Sequence, residues 1–440
     1  MGLETLTGPK GVPVLGMALE FNKDPFAYAA EVGRHGNIVA VPFPGMTLVY
    51  VLDPALVEQV LVRESKRFHK GAFMSRVDIV FGDGILLAEG DAWKKQRRRM
   101  APAFTHQAVR EMAASIGPLA VDALDSWEAD GVRDVHADMA GLTLDVALHT
   151  LFGTAATPVD MDQVRAAFHD ISAHFARAAE MVLPLPLWVP TPSNIRFKRA
   201  RAVLDGVVSK VLAERRGADD PGHDLLGRLL RAADDAGDPI TEAQLQDEVR
   251  TLLLAGHETT AVALTVAIWE LAGHPEVQAW AREEVDAIDG PLTVHHTLPR
   301  ITAVLDESMR LMPPAPVFPR EPKEDVQLGG HTIPAGTTLI LAPFITQRRA
   351  RWFDDPHTWR PERWTDALRD SLPRFAYFPF GGGPRTCIGI HLAMAEARIV
   401  LGELVRRFSL AREEGASLDL IPSITMRPTA PVGVRFTRHT

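Results

Sequence analysis

The chain has 440 residues, of which 46% are hydrophobic and 23% are charged, and its formal net charge is −9. This is the balance of a globular protein with a large core, so the composition excludes a disordered chain. The negative charge gives no global electrostatic support for nucleic-acid binding, and we expect no such partner. A single cysteine, Cys387, excludes an intramolecular disulfide and favours a reducing, cytoplasmic location.

The first twenty residues lack the basic segment and the apolar run of a signal peptide. No uninterrupted run approaches the roughly 20 apolar residues that a membrane-spanning helix needs. We therefore expect no membrane span.

Residues 37–52 predict a β-hairpin, because two β-rich runs are broken by Pro42, Pro44 and Gly45. Helical periodicity then dominates the chain. We predict helices over 54–66, 107–130, 136–153, 160–180, 195–215 and 222–235. Strand-rich segments follow at 324–343 and 431–436. Since no linker or repeat divides the chain, residues 1–440 are expected to form one domain of the α+β class, mainly α with small β-sheets.

The longest predicted helix begins at Thr241, where Thr241 and Gln244 match a capping box, and ends before Pro275. Such a helix spans roughly 50 Å. Within it, AGHETT at 255–260 interrupts an apolar run, and its glycine costs about 1 kcal/mol relative to alanine. A small residue, an acid and a hydroxyl placed together suit proton delivery to a ligand; a tolerated kink is the alternative.

The lone thiol lies in FPFGGGPRTCIGIHLAMAEAR, residues 378–398. Three glycines precede it and a helix is predicted over 391–406. The thiolate of Cys387 is a metal ligand, and a helix N-terminus favours that form. The glycines allow close approach to a flat cofactor, and Arg385 can reach an anionic group on the same ligand. A lone cysteine is more often a small buried hydrophobe, so the surrounding pattern decides between the two.

The pattern Phe380-x-x-Gly383-x-Arg385-x-Cys387-x-Gly389 is similar to the haem-ligand loop of the cytochrome P450 monooxygenases. Residues 255–260 resemble the oxygen-binding groove of the same family. In that context His257 is interpreted as a side chain beside the groove and not as a ligand.

Further motifs follow in the family's chain order. Trp93-x-x-x-Arg97 resembles the helix that holds a haem propionate, and Arg320 stands where the family often has another propionate arginine. Glu307 and Arg310 match its Glu-x-x-Arg pair, which Arg363 of PERW joins as structural support. Taken alone, Glu307 and Arg310 would be a surface pair contributing a few tenths of a kcal/mol.

The resemblance implies a single triangular domain with a long central helix, no fused reductase or ferredoxin domain, and a non-covalent b-type haem. Cys387 would be the proximal thiolate ligand of the iron. The other residues implied to bind the cofactor are Trp93, Arg97, Ala255, Gly256, Arg320, Phe380, Arg385 and Gly389.

The activity implied is insertion of one atom of O2 into an apolar, lipid-like or terpenoid substrate, by hydroxylation or epoxidation. Thr259 would hold the oxygen being activated, and Glu258 would relay protons from solvent. Electrons from NAD(P)H would arrive through a separate ferredoxin-type donor and its reductase. The candidate pocket residues are Phe73, Met74, Val80 and Phe81. The apolar run 181–190 is interpreted as a loop between two lid helices, with core filling as its alternative.

A basic segment precedes residue 100, with side chains at Lys94, Lys95, Arg97, Arg98 and Arg99. Arg97 is assigned to haem by the motif. On an acidic protein, the others form a candidate dock for an acidic electron donor. A solvated face is the alternative.

Three other functions stay open. The same scaffold could serve a peroxygenase or an isomerase, against which the Glu258 and Thr259 pair argues. A haem-binding sensor or carrier without turnover is the second. A cysteine hydrolase is the third, and it would need a histidine base and an orienting group near Cys387.

Overall fold

A computed structural model describes residues 3–71, 82–153, 158–180, 186–216, 222, 224–235, 240–422 and 425–439. The candidate pocket residues Phe73, Met74, Val80 and Phe81 lie outside these ranges. The α-helices in the described ranges are Ala18–Lys23 (α1), Pro25–Arg34 (α2), Pro54–Glu58 (α3), Gly90–Met100 (α4), His106–Met112 (α5), Ile116–Asp125 (α6), Val135–Phe152 (α7), Pro158–Glu180 (α8), Pro192–Arg216 (α9), Leu225–Asp235 (α10), Glu242–Gly273 (α11), Pro275–Asp286 (α12), Pro299–Leu311 (α13), Pro343–Thr346 (α14), Asp366–Ser371 (α15) and Ile390–Arg407 (α16).

Within the described ranges, the strands are short and form four small sheets. They are Ile38–Phe43 (β1), Met46–Val51 (β2), Phe68–His69 (β3), Asp130–Asp134 (β4), Phe318–Pro322 (β5), Val326–Leu328 (β6), His331–Ile333 (β7), Leu339–Leu341 (β8), Phe408–Arg412 (β9), Leu420–Pro422 (β10), Met426–Pro428 (β11) and Gly433–Arg438 (β12). The largest sheet has the order β1-β2-β8-β5-β3, and β4-β12-β9 form a second. β6-β7 and β10-β11 are hairpins. The predicted α+β class with helix predominant is confirmed.

The predicted N-terminal hairpin is present. β1 and β2 pair antiparallel from Ile38 with Val51 to Phe43 with Met46, and Gly45 takes φ +73° in the turn between them. Only glycine adopts this left-handed conformation without strain. The hairpin is extended by β8, which runs parallel to β2.

The far side of the same sheet determines the position of two basic residues. β5 lies between β8 and β3, pairing Arg320 with Leu339 on one side and His69 with Glu321 on the other. Lys70, the residue after β3, therefore emerges beside Arg320.

The long helix is confirmed with small changes at its start. Thr241 is the N-cap of α11, and its Oγ1 accepts the Gln244 N–H at 3.2 Å. In the predicted capping box, the Gln244 side chain would also bond back to the Thr241 N–H. It instead accepts a hydrogen bond from Arg99 at 3.4 Å. The helix ends at His274, and Pro275 begins α12. By contrast, the helix predicted over 107–130 is divided into α5 and α6 by a 3-10 turn at Ala113–Ser115.

α11 is the central helix of the core. By length and composition it is apolar enough to cross a membrane, which counting uninterrupted apolar residues did not reveal. However, 72% of its most apolar 18-residue stretch is buried inside the protein. The helix packs against α7, α13 and α16. This is the pattern of a core helix, apolar on all sides because protein surrounds it.

Candidate functional site

The loop around Cys387 is fixed by its own backbone. The Cys387 N–H donates to the Phe380 carbonyl at 3.1 Å, and the Gly389 N–H donates to the Cys387 sulfur. α16 begins at Ile390 with no side-chain cap, so its first N–H groups face this end of the loop. Burial raises the pKa of the Cys387 thiol, while the Gly389 N–H and the positive charge of Arg97 oppose that rise.

Two glycines before Cys387 lie close to other parts of the protein. Gly383 takes φ +68°, and a Cβ there would lie 1.9 Å from the Leu61 carbonyl oxygen. A Cβ on Gly382 would lie 2.2 Å from the Phe375 ring. Gly382 and Gly383 therefore allow close packing within the protein, and the expected clearance for a flat cofactor stays a prediction.

An internal space borders the sulfur. The Cys387 side chain is solvent-accessible, yet it lies deep enough among protein atoms for burial to dominate its pKa. Both statements hold for a residue that lines a cavity. The middle of α11 has the same property, because Ala255 and Gly256 are exposed within a buried helix. A Cβ on Gly256 would meet no atom within 4 Å.

The helix that follows the sulfur loop, α16, packs directly against α11. Ile388, next to Cys387, and Leu252, one turn before Gly256, pack against the same hydrophobic cluster. Leu392 of α16 packs there as well. The sequence-predicted ligand loop and groove are therefore brought to one region of the molecule.

Three of the predicted propionate-binding residues are brought together. Arg385 donates to the Ala88 carbonyl at 2.9 Å and to Glu89 at 2.7 Å, and its guanidinium lies 4.4 Å from the centre of the Trp93 ring. Burial, followed by the charge of the nearby Arg385, lowers the pKa of Arg320 to about 10.

Lys70 is a member of this group that the sequence analysis missed. Burial, followed by the charges of Arg385 and Arg320, lowers the pKa of its ammonium group to about 7. Its Nζ donates to the Leu86 carbonyl. No sequence motif marks a lysine that follows a two-residue strand.

The charges of this cluster do not cancel within the described residues. Glu89 is the carboxylate that raises the pKa of Lys70, Arg320 and Arg385 alike. One carboxylate against two arginines and a lysine whose pKa is about 7 leaves the cluster positive, and unpaired buried charge is unfavourable. The cluster therefore fits a ligand with two carboxylates, as haem has, and Cys387 supplies the donor atom that a haem iron accepts.

A buried ionic network supports the segment that leads to the Cys387 loop. Glu307 accepts from Arg310 Nε at 2.8 Å, Arg310 Nη2 at 2.9 Å and Arg363 Nε at 2.9 Å. Glu307 and Arg310 both have 0% side-chain exposure, so the alternative of a surface pair is wrong. The Trp364 indole N–H, which the sequence analysis did not include, also donates to Glu307 at 3.0 Å.

The two candidate catalytic side chains lie on an unbroken helix. The Thr259 hydroxyl donates to the Ala255 carbonyl at 2.7 Å, the i−4 bonding expected of a threonine inside a helix. Glu258 is ion-paired with Arg427 of β11, whose Nε lies 2.9 Å from Glu258 Oε1. Arg427 was missed, because it is 169 residues away in sequence. His257 is buried, with Nδ1 3.0 Å from the Leu253 carbonyl.

The basic segment is smaller on the surface than expected. Arg99 is only 6% exposed and bonds to Gln244, so its place in an exposed dock is wrong. Arg97 is turned toward Cys387, whose charge raises the arginine's pKa against the lowering caused by burial. Lys94, Lys95 and Arg98 remain exposed on α4, and Lys94 pairs with Asp91 at 2.7 Å.

The apolar run 181–190 is described from residue 186 onward. That part is a loop between α8 and α9, and Trp188 is 78% exposed, so core filling is wrong for this residue. In the described portion of the chain, no three His, Cys, Asp or Glu side chains come together as a metal site.

Comparison with known proteins identifies the family. A sequence model described as Cytochrome P450 matches residues 6–434, and the chain therefore belongs to the cytochrome P450 family. The crystal structure of the cytochrome P450DA haem domain superposes with a TM-score of 0.87 at 26% identity, covering 99% of this chain and 97% of that one.

The chain is also similar to bacterial enzymes of known activity. It is 31% identical to cyclooctat-9-en-7-ol 5-monooxygenase of Streptomyces melanosporofaciens, over 94% of this chain and 91% of the relative. It is 29% identical to pentalenene oxygenase of Streptomyces avermitilis, over 99% and 97%. The protein is accordingly an oxidoreductase of the P450 type.

Proposed function

We propose that the protein is a haem-thiolate monooxygenase that inserts one atom of O2 into a cyclic terpenoid. The observation that carries the chemistry is the placement of Cys387. Its sulfur accepts the Gly389 N–H, borders an internal space, and lies near Arg97. A hydrolytic thiol would instead need a histidine base within hydrogen-bond reach, and none is bonded to Cys387 among the described residues.

The residues that would hold haem b divide into two groups. Cys387 would bind the iron, and Lys70, Trp93, Arg97, Arg320 and Arg385 would hold the two carboxylates. Ala255 and Gly256 leave room on the α11 side because neither carries a side chain beyond Cβ. A thiolate-bound haem supplies the O2 activation, with the sulfur favouring O–O cleavage.

The chain's own contribution is the delivery of protons on the α11 side. Thr259 presents a hydroxyl one turn from Ala255, beside the space that would hold O2 and substrate. Glu258, on the neighbouring position, is held by Arg427 on the β10-β11 hairpin. We propose that Glu258 passes protons inward to Thr259, and that Arg427 keeps the carboxylate oriented between transfers.

Replacement of Thr259 by alanine tests this role against a matched neighbour. The T259A variant should divert electrons to hydrogen peroxide and reduce product formed per NAD(P)H by about tenfold or more, because the positioned hydroxyl is lost. Thr260 is the control, since its hydroxyl makes the same bond to the i−4 carbonyl at 2.9 Å but is buried. T260A should leave the product formed per NAD(P)H unchanged. If T259A and the wild-type protein form equal amounts of product per NAD(P)H, Thr259 has no role in the mechanism.

The terpenoid assignment is supported by the relatives and by the chemistry of the space. Relatives that match nearly the whole chain act on cyclooctat-9-en-7-ol and pentalenene, as their names state. In this chain, the space is bordered by Ala255, Gly256 and the apolar Leu252. Such a lining selects an apolar molecule by burial and not by charge.

A spectral binding screen tests the substrate class. Cyclic terpenoid hydrocarbons and alcohols should displace water from the haem and shift its spin state at micromolar concentrations. Straight-chain fatty acids of equal carbon number serve as the comparison set, and we expect them to bind at least about tenfold more weakly, a difference of about 1.4 kcal/mol. Tighter binding of the fatty acids would contradict the terpenoid assignment.

We also propose that electrons come from a separate, acidic ferredoxin-type protein that docks on α4. The exposed Lys94, Lys95 and Arg98 form a positive face there on a chain of net charge −9. One helical position away, Arg97 turns inward toward Cys387. The same helix therefore connects the surface to the sulfur.

The dock is tested by replacing Arg98 with glutamine. At low ionic strength, R98Q should slow reduction by an acidic ferredoxin about three- to tenfold, because complementary charge accelerates encounter. Raising the salt concentration should remove the difference. Arg435, an exposed arginine on β12, is the control, and R435Q should behave as wild type. Rates for R98Q equal to those of R435Q would reject this face.

A further inference from the structure

A second cavity lies away from the Cys387 site. It has a volume of about 580 Å³ and is formed between α2 and the segment 344–351. None of its lining residues belongs to the group around Cys387 or to the lining of the α11 space. The volume falls within the range of small-molecule binding sites.

One part of this cavity is apolar. Phe26 and Ala29 of α2 face Phe344 and Ile345, and the rings of Phe26 and Phe344 lie 5.3 Å apart. These side chains offer a surface for the hydrocarbon body of a ligand.

Another part of the lining is basic. Arg34, Arg348, Arg349, Arg351 and His357 line the cavity, and the described residues that line it include no carboxylate. Four arginines and a histidine therefore face the same space on a protein whose net charge is −9.

Nearby carboxylates balance only part of this charge. Glu31 pairs with Arg34 at 3.0 Å, and Asp53 lies 3.8 Å from Arg351. Arg349 instead donates to the Asn37 side chain at 2.9 Å and to the Gly36 carbonyl at 2.9 Å. With two carboxylates against four arginines, two positive charges remain.

Arg348 is the most enclosed of the four. It donates to the Phe344 carbonyl at 2.9 Å and to the Met312 sulfur at 3.4 Å, and its guanidinium lies 3.8 Å from the centre of the Phe344 ring. These partners are neutral. Burial lowers the pKa of Arg348 to about 9, followed by repulsion from Arg310, so the group still carries its charge at neutral pH. Its side chain remains partly accessible, through the cavity that it lines.

We propose that this cavity binds an amphipathic organic anion, a phosphate or carboxylate head group on an apolar body. Arg348, Arg349 and Arg351 hold the head group, since guanidinium groups match such oxyanions in geometry and charge. The apolar body lies against Phe26 and Phe344. This site is independent of the haem site and of the substrate proposed above.

The probe for a first experiment is octyl phosphate, titrated calorimetrically into the haem-loaded protein while the haem absorption spectrum is recorded. Octanol and inorganic phosphate are the matched halves of the probe. We expect octyl phosphate to bind at least about tenfold more tightly than either half, without a change in the haem spectrum. Octanoate, a carboxylate with the same number of carbon atoms, then distinguishes a phosphate site from a general anion site. Equal affinity for octyl phosphate and octanol, or binding that always shifts the haem spectrum, would overturn the proposal.

A pair of matched variants locates the binding. Arg351 and Arg374 are both 64% exposed, and each lies near one carboxylate, at 3.8 Å and 3.6 Å. R351Q should weaken octyl phosphate binding about three- to tenfold through loss of one charged hydrogen-bond donor. R374Q, outside the cavity, should bind as wild type. Because both side chains are exposed, neither change endangers folding, and equal affinities of the two variants would place the ligand elsewhere.

Discussion

The burial of a single sulfur, which nearby groups offset only in part, is the constraint on which the site depends. Burial raises the pKa of Cys387, and a backbone N–H and the charge of Arg97 offset only part of that effect. A bound metal would complete the balance, because a coordinated thiol gives up its proton. The rest of the loop keeps the sulfur in place: Gly383 is pressed against the Leu61 carbonyl, and Phe380 accepts the Cys387 N–H.

An excess of positive charge lies at the edge of the same site. The pairing of β3 with β5 places Lys70 beside Arg320, and Arg385 joins them from the Cys387 loop. One ligand that provides both a metal and two carboxylates, as haem does, would balance their positive charge and the sulfur together. The buried Glu307 network holds the chain between these elements, and removal of one partner there would strand a charge at a cost of about 3–5 kcal/mol.

Local pattern was sufficient for the class of fold, the central helix and the Cys387 loop, because each depends on residues a few positions apart. It did not reveal Lys70, Trp364 or Arg427, whose roles arise from contacts between distant segments. Arg99 was assigned to the surface wrongly, since the direction of a helical side chain depends on what packs against it. The pocket assignments of Phe73, Met74, Val80 and Phe81 stay predictions.

The central claim is that Cys387 binds haem iron as a thiolate. The absorption spectrum of the reduced, carbon-monoxide-bound protein tests it most directly. The account predicts the red-shifted Soret band of thiolate ligation in the natural protein and its loss when Cys387 is replaced by histidine. A histidine-type spectrum in the natural protein would contradict the assignment of Cys387, and with it the balance of charges described for the site.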